Sequence, residues 1–168
     1  MKITRIALVL CAFLALPTMA SAGQPRLMAE YDDWEVYVFF EDDKKVCYIA
    51  SQPKGREGNY TRRGETFALI THRPADNTRD VFSYITGYTY KAGSEAVVTI
   101  DGKDFSLFTQ DETAWAPDSE SDSRLANAIR SGSKMVVKGQ SSRGTLTTDT
   151  FSLKGSGAAY NRMAQECR

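Results

Sequence analysis

Two cysteines, Cys47 and Cys167, constrain this chain more than any other feature. The third, Cys11, lies in MKITRIALVLCAFLALPTMASA, which reads as an export signal. Lys2 and Arg5 give it a basic start, Ile6 to Leu16 an apolar run, and Ala20-Ser21-Ala22 a small-residue cleavage site. The apolar run is 11 residues long, short of the roughly 20 that a bilayer-spanning helix needs. Residues 1–22 are therefore expected to be removed, leaving residues 23–168 as a single exported domain with no membrane span. In oxidising surroundings the two remaining thiols are expected to close a disulfide. Joining positions 47 and 167 would remove unfolded-state entropy worth about 4–5 kcal/mol. The competing readings are a two-ligand metal site and a reactive thiol. His72 is the sole histidine and no CxxC occurs, so neither has further support.

Without Lys2 and Arg5 the chain carries 19 basic and 21 acidic side chains. A nucleic-acid binder would show a basic excess, so that class is set aside. The same balance gives no reason to expect adsorption to anionic lipid.

The remaining pattern is β. Trp34, Val36, Val38 and Phe40 alternate with Glu35, Tyr37 and Phe39, a period of two with one apolar face. An acidic turn, Glu41-Asp42-Asp43-Lys44, leads into KVCYIA, so the two runs read as a hairpin with Cys47 on an early strand. Residues 52–65, QPKGREGNYTRRGE, read as a long exposed loop. Residues 66–71 and 81–90 read as strands around the turn RPADNTRD, and EAVVTI meets KDFSLFTQ across Asp101-Gly102, a strong hairpin signal. Residues 117–123, PDSESDS, open a helix with Leu125, Ala128 and Ile129 on one face and Gly132 as its stop. Residues 134–140 and 145–153 form a last hairpin. A glycine break then starts a second helix, in which Ala159, Met163 and Cys167 share a face. Seven to eight short strands and two short helices point to a mainly β fold, an immunoglobulin-like β-sandwich.

Catalytic signals are few. His72 precedes the Pro74 turn and reads as an ordinary surface or partly buried histidine. No GxSxG, HExxH or phosphate-binding glycine loop occurs. The acids at Glu41-Asp42-Asp43 and Asp118 to Asp122 read as turn and helix-start residues, without calcium-loop spacing. No catalytic residue, metal ligand or cofactor is assigned. The basic loop carrying Lys54, Arg56, Arg62 and Arg63 is either a solvated tip or a contact for an acidic partner or anionic polysaccharide. One register of Phe82, Tyr84, Tyr88 and Tyr90 must line the core, while the other offers an aromatic patch. Trp115 reads as a plug at one end of the sandwich or as a recognition anchor. The candidate interaction surface is thus Arg56, Arg62, Arg63, Tyr84, Tyr88 and Trp115.

These segments resemble one known family, the invasion-associated locus B proteins exported by bacteria. The carriers are WEVYVF with KKVCYIASQPK, THRPADNTRDVFSYITGY, VTIDGKDFSLFT, AIRSGSKMVVKG and the closing SSRGTLTTDTFSLKGSGAAYNRMAQECR. The resemblance implies an immunoglobulin-like sandwich and an envelope location, periplasmic or at the outer surface. It implies a link to host-cell invasion, but no catalytic residue or cofactor. Some members have a further cysteine where this chain has Val38, so only Cys47 and Cys167 remain to pair. The leading expectation is a non-enzymatic module that contacts an envelope or host protein or a glycan. A small periplasmic hydrolase using dispersed carboxylates is the alternative from another class.

Overall fold

The computed structural model describes residues 23–168, so the export signal read from residues 1–22 lies outside the described residues. The described residues form eleven strands and two α-helices. They are β1 (Arg26–Tyr31), β2 (Trp34–Glu41), β3 (Lys44–Ser51), β4 (Gly55–Gly58), β5 (Phe67–Arg73), β6 (Thr78–Ile85), β7 (Glu95–Ile100), β8 (Lys103–Gln110), β9 (Thr113–Trp115), α1 (Ser119–Ser131), β10 (Lys134–Gln140), β11 (Leu146–Ser152) and α2 (Ser156–Glu166). The mainly β class with two helices is as expected. The strand count is higher than seven to eight, because β1, β4 and β9 carry almost no pattern. β1 has a register shift between Leu27 and Ala29 that breaks its alternation. β4 is GREG, an edge strand whose one ladder partner is β11, and β9 is three residues long.

All pairings are antiparallel, and the ladder is continuous in the order β1-β2-β3-β5-β6-β9-β8-β7-β10-β11-β4. The sheet curls so that distant strands meet across the core. Tyr84 on β6 packs edge-on to Phe151 on β11 at 6.1 Å, and Trp34 on β2 donates from Nε1 to the Ser152 carbonyl on β11 at 3.1 Å. The two layers of the expected sandwich are therefore two halves of one sheet. Alternation explains the core: Trp34, Val36, Ile49, Ile70 and Phe82 point inward from one half, and Val98, Met135 and Phe151 from the other, all fully buried. Each such side chain contributes roughly 1.5–3 kcal/mol through burial. Phe40, expected on the apolar face of β2, is instead 52% exposed at the strand end.

The turns have the backbone their residues predict. Asp42 and Asp43, and Asp101 with Gly102, all have positive φ, the two-residue turn that follows the twist of a hairpin. Asp118 caps α1 by accepting from the Ser121 amide at 2.7 Å. Helix α1 packs on β6, and α2 on β1, β2 and β3. Ala159, Met163 and Cys167 are all fully buried on one face of α2, as their spacing predicts. Gly155, at φ +88°, starts this helix where a Cβ would lie 2.0 Å from the Tyr31 carbonyl oxygen. A disulfide joins Cys47 on β3 to Cys167, with their Cα atoms 6.0 Å apart. Among the described residues no helix is long and apolar enough to cross a membrane.

Candidate functional site

The largest cavity among those described is a surface groove of about 470 Å³ beyond the ends of β5 and β6. One wall is the segment Asn59 to Arg63 that follows β4, and the other is the β10–β11 turn, Ser141 to Thr145. Gly87, Tyr88 and Thr89 lie between them. Backbone bonds hold the walls in place. The Gly64 amide donates to the Gly87 carbonyl at 2.9 Å, and the Ser142 amide to the Thr89 carbonyl at 2.8 Å. Gly87 has φ +72°, and a Cβ there would sit 2.5 Å from the Gly64 backbone. Only glycine meets both conditions. Residues 81–90 read as one strand in sequence, but β6 stops at Ile85. The break at Gly87 turns Tyr88 into the groove.

The floor rests on a buried ion pair. Arg63 and Asp149 are 1% and 0% exposed, and Arg63 donates through Nη1 and Nη2 to both carboxylate oxygens at 2.7 and 2.6 Å. Its Nε donates to the Thr86 carbonyl at 2.7 Å, and Nη2 also reaches the Tyr84 hydroxyl at 3.3 Å. Tyr84 in turn donates to Asp149. Burial opposes the charge of Arg63, but the Asp149 carboxylate more than offsets it and holds the guanidinium's pKa above its ordinary value. Burial beside the same carboxylate pushes the Tyr84 phenol up, so it stays a donor. The Arg63 guanidinium also lies 5.0 Å from the Tyr88 ring centroid and 5.5 Å from that of Tyr60, within cation–π range. Asp149, Thr86 and Tyr84 thus engage most of the Arg63 guanidinium, and with its side chain 1% exposed it positions the two tyrosines and has little to offer a ligand. Burial raises the Tyr88 phenol, which pairs with the Thr147 hydroxyl at 2.7 Å.

The exposed cations of the groove are Arg62 on one wall and Arg143 on the other. No acid and no aliphatic side chain lines it; the remaining lining is tyrosine, hydroxyl, amide and glycine. The model of the invasion associated locus B (IalB) protein family matches residues 34–164 of this chain, from Trp34 on β2 to the last turn of α2. The chain belongs to the IalB family. No curated protein and no solved structure matches it. The IalB match spans both walls of the groove, the buried ion pair and Cys47, and ends three residues before Cys167.

In this IalB domain the residues singled out from sequence divide into three groups. Arg62 and Tyr88 line the groove. Arg63 reaches the lining only at the floor, with its side chain 1% exposed, and Tyr84 lies beneath it, so neither is the exposed contact expected of it: an inward-facing acid on β11 draws both in. Arg56 and Trp115 lie outside the groove lining. Arg56 is exposed on β4 and donates to the Gly64 carbonyl at 2.6 Å. Trp115 does not plug the sandwich. Its neighbours Ala114 and Ala116 face the core, which sends the indole to the outer face. There it stacks on Phe108 at 5.7 Å. The expected solvated loop 52–65 is also tied down, through β4 and Arg63.

Sequence reasoning missed Tyr60, Arg143 and Asp149. A signal for Asp149 was present. In LTTDTFS it shares a register with Thr147 and Phe151, and an acid on the inward face of a strand demands a buried partner.

His72 is buried, not a surface residue, with its ring Nε2 3.1 Å from Asp80 Oδ1. Tyr160 donates to the same oxygen at 2.5 Å, and Cys47 sits opposite His72 in the β3–β5 register. The bond from His72, and then those from Tyr160 and Ser123, hold the Asp80 carboxyl below its ordinary range against burial. Burial and Asp80 push the Tyr160 phenol up to about 12. None of the described cavities is lined by these groups. A smaller cleft of about 180 Å³ gathers Glu30, Asp32, Asp33, Glu35 and Lys54. Asp33 there accepts from Lys54 at 2.5 Å and is held low by it, a resident anion and not a proton donor. Among the described residues no three His, Cys, Asp or Glu side chains gather in a metal-binding cluster.

Proposed function

We propose that this IalB-family protein is a non-enzymatic interaction module of the bacterial envelope that takes its partner into the groove between Asn59–Arg63 and Ser141–Thr145. One observation carries the reading. Arg62, Arg143, Tyr60 and Tyr88 converge on a single concavity whose floor arginine is engaged by Asp149, Thr86 and Tyr84. Such a lining offers hydrogen-bond donors, cations and aromatic faces, but no carboxylate, imidazole or thiol for general acid–base or nucleophilic work. Recognition is the chemistry it is equipped for. The disulfide fits an oxidising compartment outside the cytoplasm. Periplasm or outer surface is therefore the location we assign, after export on residues 1–22. The hydrolase alternative needs a carboxylic acid held protonated beside a second carboxylate. In the acid-lined cleft Asp33 shows the opposite shift.

A photoreactive residue at Thr89, in cells exporting the full chain, tests this reading. Thr89 is exposed and lines the groove, whereas Glu120 is exposed on α1, away from the groove lining. One envelope or host component captured reproducibly from Thr89 and not from Glu120 is the expected result. Capture only from Glu120 or beside Trp115 would move the contact surface elsewhere. No capture from any position would overturn the module.

A further inference from the structure

The groove's chemistry narrows what its partner presents. Resting on the interaction-module reading above, we infer that the ligand is an acidic saccharide: a short segment of glycan whose anionic group bridges Arg62 and Arg143 while a sugar ring lies against Tyr88. Three properties of the groove lead there.

The charge is local. Arg63 is neutralised by Asp149, which leaves Arg62 and Arg143, on opposite walls, as the exposed cations of a lining without acids. The chain as a whole is near neutral. A polyanion such as nucleic acid is bound by an extended basic surface. Two arginines across a cleft suit one anionic group, which a guanidinium holds through paired charge-assisted bonds.

The rest of the lining suits hydroxyls. Asn59, Thr61, Thr89 and Ser142 point no side-chain hydrogen bond at any other described residue and face the groove. A peptide anchor or a lipid chain seeks an apolar pocket, and no aliphatic side chain lines this one. The aromatic surface consists of tyrosines. Tyr88 is fixed by Thr147 and by Arg63 below it, so its ring is ordered before a ligand arrives and less entropy is lost on binding.

The shape is a cleft and not a face. About 470 Å³ lies within the range of small-ligand sites, roughly 300–1,000 Å³. That volume takes a short oligosaccharide segment. A folded protein partner covers a far larger and flatter surface.

Calorimetric titration of the protein with trigalacturonate and with a phosphorylated trisaccharide tests the class, with maltotriose as the neutral control. Hexaglutamate serves as the control for charge without sugar. At least one of the two acidic sugars should bind about tenfold or more tightly than either control, and more weakly as salt rises. The Arg62→Gln, Arg143→Gln double variant should lose that margin while keeping its melting temperature. Tyr88→Leu should weaken both acidic sugars with the arginines intact. Equal binding of maltotriose, or of hexaglutamate, would overturn the assignment, as would no acidic sugar binding or indifference to the double substitution. A protein partner captured from Thr89 with no acidic sugar bound would end the saccharide inference and leave the interaction module standing. No capture and no binding would end both.

Discussion

The two ends of the β5–β6 pair solve one problem, holding polar groups inside a β core, in different ways. At the hairpin end, His72, Asp80 and Tyr160 form a closed knot against the Cys47–Cys167 bridge, with α2 packed over it. At the other end, Arg63, Asp149 and Tyr84 form a knot of similar size, but two exposed arginines and two tyrosines stand above it. The first end is covalent and packed under α2, and none of the described cavities is lined by its polar groups. The second is electrostatic and open, and it converts a buried charge pair into a rigid floor for a groove. The bonds that hold the site thus come from beneath it, which on the proposed reading leaves the exposed side chains to a ligand.

The sharpest way to break this contrast is to remove the staple. Cys47→Ala with Cys167→Ala should cost about 4–5 kcal/mol in urea unfolding of the oxidised protein, with ligand affinity at the groove unchanged. A loss below about 1 kcal/mol would show that the closed end depends on packing alone. Asp149→Ala should come next, at about 3–5 kcal/mol, because it strands a buried guanidinium. The paired change Arg63→Met, Asp149→Leu should recover much of that stability yet disturb Tyr60 and Tyr88. Stability regained together with full binding would refute the supporting role of the pair. Gly87→Ala, forced to positive φ against the Gly64 backbone, should cost on the order of 1–3 kcal/mol and loosen one wall.

Acid titration probes the closed end. The native-state pKa of Asp80 is depressed, so its contribution is complete above the unfolded value of about 3.9 and is lost as pH falls through the lower folded value. Asp80→Asn should be less stable at neutral pH and lose less on acidification; identical acid unfolding would remove Asp80 from the account. The smallest effect belongs to Arg62→Gln with Arg143→Gln, exposed residues whose change should stay within about 0.5 kcal/mol. A larger loss would make the groove arginines structural. Arg63 cannot join such a set, since Arg63→Gln would leave the buried Asp149 carboxylate without its cation.

Much of the fold was legible because its signals are local. Alternation, β-branched content and turn signals marked seven to eight strands, Asp101-Gly102 marked its hairpin, and a four-residue spacing placed Cys167 with Ala159 and Met163 on the buried face of α2. β4 was illegible because its strand character is borrowed from β11 through backbone bonds that any sequence can make. The groove was half legible: Arg62 and Tyr88 were recognisable as candidates, while Arg143 looked like an ordinary turn residue.

The mainly β class, the identity of the disulfide partners and the helix faces are properties of composition and period, which the linear chain carries by itself. Which residues form the site is not of that kind. Arg62 and Arg63 are adjacent and chemically identical, yet one is exposed in the groove and the other is buried beneath it. Asp149, 86 residues further along, makes the difference. Only the curled sheet brings that carboxylate within reach of Arg63, and a charge stays buried only where its partner is already in place.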